Sequence, residues 1–553
     1  MKSRVLWTLA AVFLAAANLA GQEGAAVNGY ARTKAGALLE DASLFLSETT
    51  LDLRLSYRSG DAGFFANPVL YEREGQTEEP VLREAYMDFR GESFDLRLGK
   101  QQIIWGKGDG VFITDIVSPK DLSRFLVPDF EEIRGAVTGA CLDLYLGSHA
   151  LELVWLPAFT PGTAPAAGSL WAPALPFPVT PTFESVVSPG FSLDNGEYFA
   201  RYSFLGESFD LALMGGWFWN DTPGYTVTDK TFVPGVGITA LTVRPEYYRT
   251  AAAGYAASGA MGPVILKSEG AFYGLRRYQG NPMIYPDGYA EKYSLQYMAG
   301  ADASAAGFTF GIQFIQDLIL DHDPDLVDPE LKTTMTFVAT RTFLRDTLTA
   351  EVFTYMGLDP LNALVKPKVT WDATDALEFF LGAYLFLGDE GDFGRYDSND
   401  GVYLGAKFSF GPGNRRARRP PGSRLLLPGP DCDTLLRLRG GAHGIGHPAR
   451  TEHRGVAGTA RQAQRDGDGH GRTRDQALFQ PGRADLSAGG PGRQDQGIPG
   501  PRRLPGAPLR RLHPLPHDPL QGGRRDHGGV PRSLHGRPVR GRLDREPPPR
   551  ALP

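Results

Sequence analysis

Between residues 45 and 410 apolar and polar side chains alternate with a period of two. In TLDLRLSY (50–57), Leu51, Leu53, Leu55 and Tyr57 share one face, while Asp52, Arg54 and Ser56 share the other. FDLRL (94–98) and FTFGIQF (308–314) repeat the pattern. Successive side chains of a strand point to opposite faces, so these segments predict strands with one apolar and one polar side. Sixteen are read: 45–58, 82–91, 93–102, 132–143, 148–158, 196–206, 208–219, 245–257, 262–275, 291–304, 306–318, 332–344, 346–357, 361–372, 375–388 and 401–410.

A soluble sandwich and a membrane barrel both fit this alternation, and three features select the barrel. Many segments run to ten or more residues, the length a tilted membrane strand needs, whereas soluble strands have about five or six. Connections alternate between tight turns, such as RGESFD (90–95), LGESFD (205–210), SAAGF (304–308) and DATDA (372–376), and long Gly/Pro-rich loops at 159–195 and 220–244. Short periplasmic turns and long outer loops are the bacterial outer-membrane arrangement. Aromatics cluster at strand ends, in WFW (217–219), PEYY (245–248) and AFYG (271–274), like interfacial girdles. The predicted fold is all-β: an antiparallel transmembrane barrel of about sixteen strands with both ends in the periplasm. With RGES as a periplasmic turn, 45–58 runs outward and 401–410 inward, and residues 22–44 form an extra strand or a plug.

Composition divides the chain. From Gly411 onward there are 27 Arg, no Lys, Tyr or Trp, and one Phe (Phe479), with eight of the ten His. Those 27 Arg face 12 acids, leaving 30 basic against 51 acidic residues before them, so the net charge of −6 averages two unlike objects. A Pro- and Gly-rich segment almost without aromatics cannot bury enough apolar surface to offset its chain entropy. Residues 411–553 are therefore expected to be disordered. They are either a basic extension or out-of-frame or read-through translation of GC-rich DNA, and the absence of Lys beside so much Arg favours the second. At the other end Lys2 and Arg4 precede VLWTLAAVFLAAA, the layout of a secretory signal peptide, expected over 1–21 with cleavage between Ala17 and Gln22. The last strand, GVYLGAKFSF, resembles the C-terminal assembly signal of outer-membrane proteins through Tyr403, Gly405, Phe408 and Phe410. That resemblance implies reading by the barrel-assembly machinery.

The most distinctive segment is LGKQQIIWGKGDGVFITDIVSPKDLSRF (98–125). It lies where an outer loop belongs, yet carries Ile103, Ile104, Trp105, Val111, Phe112, Ile113, Ile116 and Val117. An exposed loop would not, so it is expected to fold into the barrel, with Trp105 as a packing anchor. Gly99-Lys100-Gln101, Trp105-Gly106, Asp109 and Ser118-Pro119-Lys120-Asp121 resemble, in order, the pattern of the DUF1302-like outer-membrane barrels, which are porin-like in style. Ser118 stands where Asn is more usual. The resemblance implies a signal-bearing barrel of roughly residues 22–410; it says nothing of the tail and little of a solute.

A loop folded into the lumen narrows it, and its charges then act in a confined space where fields are strong. Loop 102–131 is the expected constriction, with Lys107, Asp109, Asp115, Lys120, Asp121 and Arg124 as its charges; Asp121 is equally suited to cap a short helix at LSRFL. Charged strand residues are costly against lipid. Asp52, Arg54, Glu84, Asp88, Arg90, Asp95, Arg97, Arg201, Lys267, Glu269, Glu351 and Glu378 are therefore expected to line the lumen, many of them paired across strands.

Catalytic patterns are not found. His149 and His322 precede the tail, in an expected periplasmic turn and an outer loop, and neither sits on a strand beside a Ser and an orienting group. Asp321, Asp323, Asp325 and Asp328 match no defined Ca²⁺ loop and read as a solvated acidic loop. Two cysteines, Cys141 and Cys432, exclude a disulfide framework. No enzyme activity, cofactor or metal is expected. The expected function is a porin or channel for passive passage of small solutes. The alternative is a barrel partner of an envelope system for lipids or hydrophobic compounds, which a lumen bearing Phe353, Tyr355, Phe380 and Tyr384 would favour. Expected partners are outer-membrane lipid, lipopolysaccharide and the assembly machinery, not nucleic acid. Porins of this size are often trimers, and a homo-trimer is a candidate assembly with no face that the sequence identifies.

Overall fold

A computed structural model describes residues 24–411 apart from residues 75, 79 and 174. The signal-peptide reading of 1–21 and the tail reading from 412 lie outside the described residues. The alternating segments form one closed antiparallel sheet of eighteen barrel strands: β1 Ala25–Leu38, β2 Leu44–Ser59, β3 Ala62–Arg73, β4 Val81–Arg90, β5 Phe94–Gln101, β6 Val137–Leu146, β7 His149–Leu156, β8 Glu197–Leu205, β9 Phe209–Trp219, β10 Arg249–Met261, β11 Val264–Gln279, β12 Tyr289–Ala305, β13 Phe308–Ile319, β14 Leu331–Phe343, β15 Leu348–Leu358, β16 Leu361–Asp372, β17 Leu377–Leu387 and β18 Gly401–Phe410. Each pairs with its sequence neighbours, and β1 closes on β18 in a register running from Gly29 opposite Phe410 to Leu38 opposite Gly401. Closure removes the exposed strand edges that bare backbone cannot present to lipid.

The sequence reading of sixteen strands is corrected by β1 and β3. On β1 the outward residues Ala31, Thr33 and Ala35 are small or polar, so no apolar stripe marks the strand, and Arg32 and Lys34 are its buried inward residues. On β3, Pro68 interrupts the ladder: pairing with β2 skips from Asp52–Val69 to Leu55–Ala66, and pairing with β4 shifts register at Asn67/Pro68. The Asn67 amide repairs the gap, donating to the Leu53 carbonyl at 2.8 Å. Missing two strands preserved the parity, so both ends of the described chain do lie on one side, but β2 runs toward the short-turn end and not away from it. The barrel accordingly begins at Ala25 rather than at residue 45, and of the two readings of residues 22–44 it is the extra strand, not the plug, that Ala25–Leu38 forms.

At the short-turn end eight connections have two to four residues, and RGES, LGES, SAAG and DATD are among them. The opposite end carries nine connections, the longest being 102–136, 157–196 and 220–248. Within the last, Gly224–Val233 and Gly237–Glu246 form a separate hairpin that Thr182–Phe183 joins in parallel. The predicted strand 245–257 is thus split, since Glu246 ends this hairpin and β10 starts at Arg249.

Outward residues form an apolar belt. Leu213 and Trp217 on β9, Leu266 and Phe272 on β11, Ile312 and Phe314 on β13, and Phe379 and Leu381 on β17 are all exposed, and Leu404 on β18 is 61% exposed. So continuous an apolar exterior is costly in water and suits a hydrocarbon layer. Gly405, within the assembly-signal resemblance, has a local packing reason: a Cβ there would lie 2.3 Å from the Phe380 ring and 2.4 Å from the Thr33 carbonyl oxygen.

The apolar loop residues turn inward. Ile103, Trp105, Ile113, Ile116 and Val117 are buried against Val137, Cys141, Val154, Phe199, Met214, Ala256, Tyr273 and Met298, which are inward residues of β6 to β12. A second inward cluster joins Leu46, Tyr355, Leu364, Phe380, Tyr384, Phe386 and Tyr403 to Val127 of the same loop, to Trp171 of the next, and to Phe393 and Tyr396. The inward-folded loop therefore reaches from one wall of the barrel to the other.

Candidate functional site: the loop across the lumen

The neck of the loop is closed by Ser118. Its hydroxyl accepts from the Ile103 N–H at 3.0 Å and donates to the Ile103 carbonyl at 2.8 Å, with the side chain fully buried. This accounts for a short polar residue at this position. Ser118→Ala leaves both Ile103 groups without that partner in the core, at a cost of about 1–3 kcal/mol. The expected result is a lower urea midpoint for the refolded barrel; an unchanged midpoint would show the neck is held elsewhere.

Beyond the neck a carboxylate from the wall holds the loop. Glu269 on β11, 1% exposed, accepts from the backbone N–H groups of Lys107, Gly108 (2.8 Å) and Thr114 (3.4 Å) and from the Thr114 hydroxyl (3.2 Å). The turn can wrap this carboxylate because Gly106 takes φ +92°, and a Cβ there would sit 2.9 Å from a Glu269 oxygen. Gln313 on β13 accepts from Asp109 N–H at 3.1 Å and returns its amide to the Asp109 carbonyl at 3.2 Å. Tyr273 donates to the Ile113 carbonyl at 2.6 Å, and Trp105 donates its indole N–H to Glu152 at 3.1 Å.

Each predicted constriction charge is engaged. Lys107 reaches Ser258 at 2.6 Å and Asp210 at 3.6 Å. Asp109 pairs with Lys267 at 2.7 Å, and Lys267 also pairs with Asp302 at 2.7 Å. Asp115 does not line the lumen: it is buried, pairs with Arg134, and accepts from Trp105 N–H at 3.3 Å. Lys120 donates to the Asp115 and Ser118 carbonyls and stays near the Asp115 carboxylate. Asp121 caps no helix, because 123–126 form a turn, and it accepts from Ser123 N–H at 3.0 Å. Arg124 crosses to the second wall and pairs with Glu48 at 2.7 Å.

The predicted lumen-facing residues form inward ion pairs and hydrogen bonds. Asp52 holds Arg54 at 3.2 Å and Arg83 at 3.4 Å; Asp88 holds Arg58 and Arg90; Arg97 approaches Asp143 at 4.0 Å; Arg201 pairs with Glu152 at 2.5 Å. Glu84 accepts from Gln102 N–H, Asp95 from Tyr145, and Glu351 from Thr340. Glu378 lines an inward pocket with Lys407 and Lys368. Phe353, Tyr355, Phe380 and Tyr384 also face inward, but they are packed under Phe125, Leu126 and Val127, Tyr384 donating to the Val127 carbonyl at 3.0 Å.

Sequence reading missed several participants. Arg32, Lys34, Glu48, Asp129, Glu132, Lys366, Lys368 and Lys407 gather on the wall formed by β1, β2 and β16 to β18. Period two was the available signal: Lys366 and Lys368 alternate with Pro367 and Val369, and Arg32 and Lys34 with Ala31, Thr33 and Ala35. Among the described residues Cys141, Asp143 and Glu152 are grouped closely enough to share an ion. Arg97, Arg201 and Trp105 already satisfy them, which makes the group an ion-pair network. The acidic outer loop is likewise occupied by its own contacts: Asp323 accepts from Asp325 N–H and Tyr285, and Lys292 pairs with Asp321.

One loop group outside the strands titrates near neutrality. Burial pushes the Asp221 carboxyl up to about 7; Lys120 pulls it back and Asp115 adds to the rise. A raised carboxyl favours folding fully below about pH 4 and loses that advantage as pH rises through 7. The temperature at which the barrel loses its compact electrophoretic form should therefore fall between pH 5 and 8. Asp221→Asn should flatten the slope, and an identical slope in the variant would remove Asp221 from the account.

Residues 47–308 match the family model described as "Protein of unknown function (DUF1302)". No curated protein matches the sequence. Among solved structures the chain is similar to OccK5 (OpdH) of Pseudomonas aeruginosa, at 12% identity over 70% of this chain and 98% of that one, with a TM-score of 0.42. It is also similar to OmpF of Salmonella typhi in complex with daunomycin, at 11% identity over 70% and 97%, TM-score 0.37. The outer membrane protein OpdK of Pseudomonas aeruginosa follows at 11% over 70% and 99%, TM-score 0.41. The family match opens one residue before Glu48 and closes at the head of β13, and so takes in the whole cross-lumen loop and the Glu269 that holds it: over residues 47–308 this β-barrel is similar to the DUF1302 family.

Proposed function

We propose that this protein is an outer-membrane channel for passive passage of small solutes, with the loop between β5 and β6 as its constriction. The observation that carries the reading is the loop's attachment to both walls, through Glu269 and Gln313 on one side and through Glu48 and Tyr384 on the other. Any solute in the lumen must pass this loop, in a space where acidic and basic groups interleave and fields are strong. The apolar belt supports an outer-membrane location, and the start of β1 and the end of β18 then lie on the short-turn, periplasmic side. The chemistry offered is charge and size selection, not bond making.

The alternative, a partner in the handling of lipids or other hydrophobic compounds, rests on the inward aromatics. They are covered by the protein's own Phe125, Val127, Trp171 and Phe393, which leaves them as packing and not as a free apolar path. Single-channel recording of the full chain in a planar bilayer tests the choice. Stable open steps, altered by Asp109→Asn or Lys107→Ala, are expected. A folded barrel that stays electrically silent would overturn the open-channel reading in favour of the alternative.

A further inference from the structure

We propose that the turn at 190–196, in the outer loop before β8, is a lipid-facing wedge that lies in the headgroup and upper acyl layer beside the barrel. The inference rests on the membrane location argued from the apolar belt, and conduction plays no part in it. Three neighbouring strands mark the rim at this place. Trp155 of β7 stands opposite Tyr198 of β8, and Tyr198 stands opposite Trp217 of β9; all three are outward and exposed. Two residues nearer the outer end, Trp219 of β9 stands opposite Arg249 of β10 on the same face. The Arg249 guanidinium lies 4.4 Å from the centre of the Trp219 ring and 5.8 Å from that of Trp217. Aromatic rings at the end of a lipid-facing belt sit at headgroup level.

The turn is fastened to this rim from outside the barrel, through its backbone. Tyr198 donates its hydroxyl to the Leu193 carbonyl at 3.3 Å, and Trp219 donates its indole N–H to the Asn195 carbonyl at 3.1 Å. Arg249 donates to the Asp194 carbonyl at 2.8 Å and to the Gly196 carbonyl at 2.9 Å. Within the turn the Asn195 amide holds the Gly190 carbonyl at 2.7 Å, and the Ser192 hydroxyl accepts from Asn195 N–H at 3.2 Å. Four consecutive carbonyls are thus satisfied by side chains of the lipid-facing rim. Backbone that meets lipid must find its hydrogen bonds inside the protein, whereas a loop bound for water has water for them.

With the backbone committed to the rim, the apolar side chains project from it. Phe191 is 80% exposed and Leu193 68%, and Val186 and Val187 are exposed shortly before them. Neither Phe191 nor Leu193 joins a buried apolar cluster. No residue from Ser185 to Leu193 carries a charge, so nothing in the stretch resists leaving water. An apolar patch of this kind is costly in water. Beside the belt it is continuous with a surface that already faces hydrocarbon, and an apolar face with its polar backbone turned away suits the interfacial layer.

Spin-label accessibility tests the wedge in the full chain. Phe191→Cys is combined with Cys432→Ser and labelled with a nitroxide after folding, when Cys141 is buried. The protein is held in phosphatidylcholine vesicles, which present the same lipid to either orientation. Relative to a water-soluble nickel chelate, oxygen should reach the label at 191 several-fold more than a label from Asp321→Cys in the acidic outer loop. It should approach the value of Leu381→Cys in the belt, and Leu193→Cys should behave as Phe191→Cys does. A label at 191 as open to nickel as the one at 321 would overturn the proposal. So would one shielded from both reagents, with spin–spin broadening identifying a second copy of the chain as its cover. A label at 381 that reads as aqueous would show that the barrel is not in the bilayer, and would defeat the location together with the wedge. A barrel that passes no current yet keeps the 191 label in lipid defeats the channel reading alone.

Discussion

On the proposed channel reading, Glu269→Ala should give a wider and noisier pore than the parent. The buried carboxylate receives three backbone N–H groups and one hydroxyl from residues 107–114. Removing it deprives those donors of their shared acceptor, and each unsatisfied buried donor costs about 1–3 kcal/mol. The loop has an alternative in which its donors bond to water, namely to leave the wall. Lys107 and Asp109 keep their side-chain contacts to Ser258 and Lys267, so the loop should flicker rather than depart for good. Larger unitary conductance with rapid closures is expected in bilayer recordings. Glu269→Gln, which keeps one acceptor oxygen, should lie between the two. Conductance and noise unchanged from the parent would mean that the apolar cluster around Trp105 holds the loop without help from this carboxylate.

The second large effect is expected at Glu48. Its carboxylate is almost fully buried and receives Arg32 at 3.0 Å, Arg73 at 2.9 Å and Arg124 at 2.7 Å, together with the Thr50 hydroxyl at 3.2 Å. Truncation to Ala leaves three guanidinium groups facing one another across the space it filled. Breaking a buried pair from one side typically costs about 3–5 kcal/mol, since the partner charge stays behind. Arg32 retains Glu132, and Arg73 retains Glu78, so the lower part of that range is the expectation for the urea midpoint. The same change makes the lumen more positive beside the loop, and the reversal potential in a salt gradient should move toward anion selectivity. Glu48→Leu combined with Arg124→Leu should recover part of the stability by removing one of the stranded charges. A Glu48→Ala barrel as stable as the parent, with an unmoved reversal potential, would show that water reaches these arginines and screens them.

Both effects turn on residues whose pairing sequence could suggest only by type. Glu269 and Lys267 were readable as inward because they share the period-two face of β11 and charges avoid lipid. That Glu269 would serve backbone N–H groups 155 to 162 residues earlier in the chain was not readable. Glu48 was passed over because it lies in the less regular start of β2. Arg32 and Lys34 were passed over because the lipid face of β1 carries Ala and Thr, which give no apolar stripe. β3 was lost to Pro68, a residue that normally argues against a strand, and which is accommodated here by an interrupted ladder and the Asn67 amide.

By itself the sequence determined whatever a period of two and a change of composition can carry. That includes an all-β barrel, the inward and outward face of most strands, the end with tight turns, and an apolar outer loop that had to find a dry surface. These are local properties, since face follows from residue parity and turn type from a few neighbouring residues. Tertiary structure alone decided the strand total, the direction of β2, and which charges meet. Closure brings β1 beside β18, and a loop crossing the lumen sets Asp129 among cations from β1 and β16, early and late in the chain. Such pairings depend on where the wall curves back on itself, and nothing local to Arg32, Asp129 or Lys368 records that they will be neighbours.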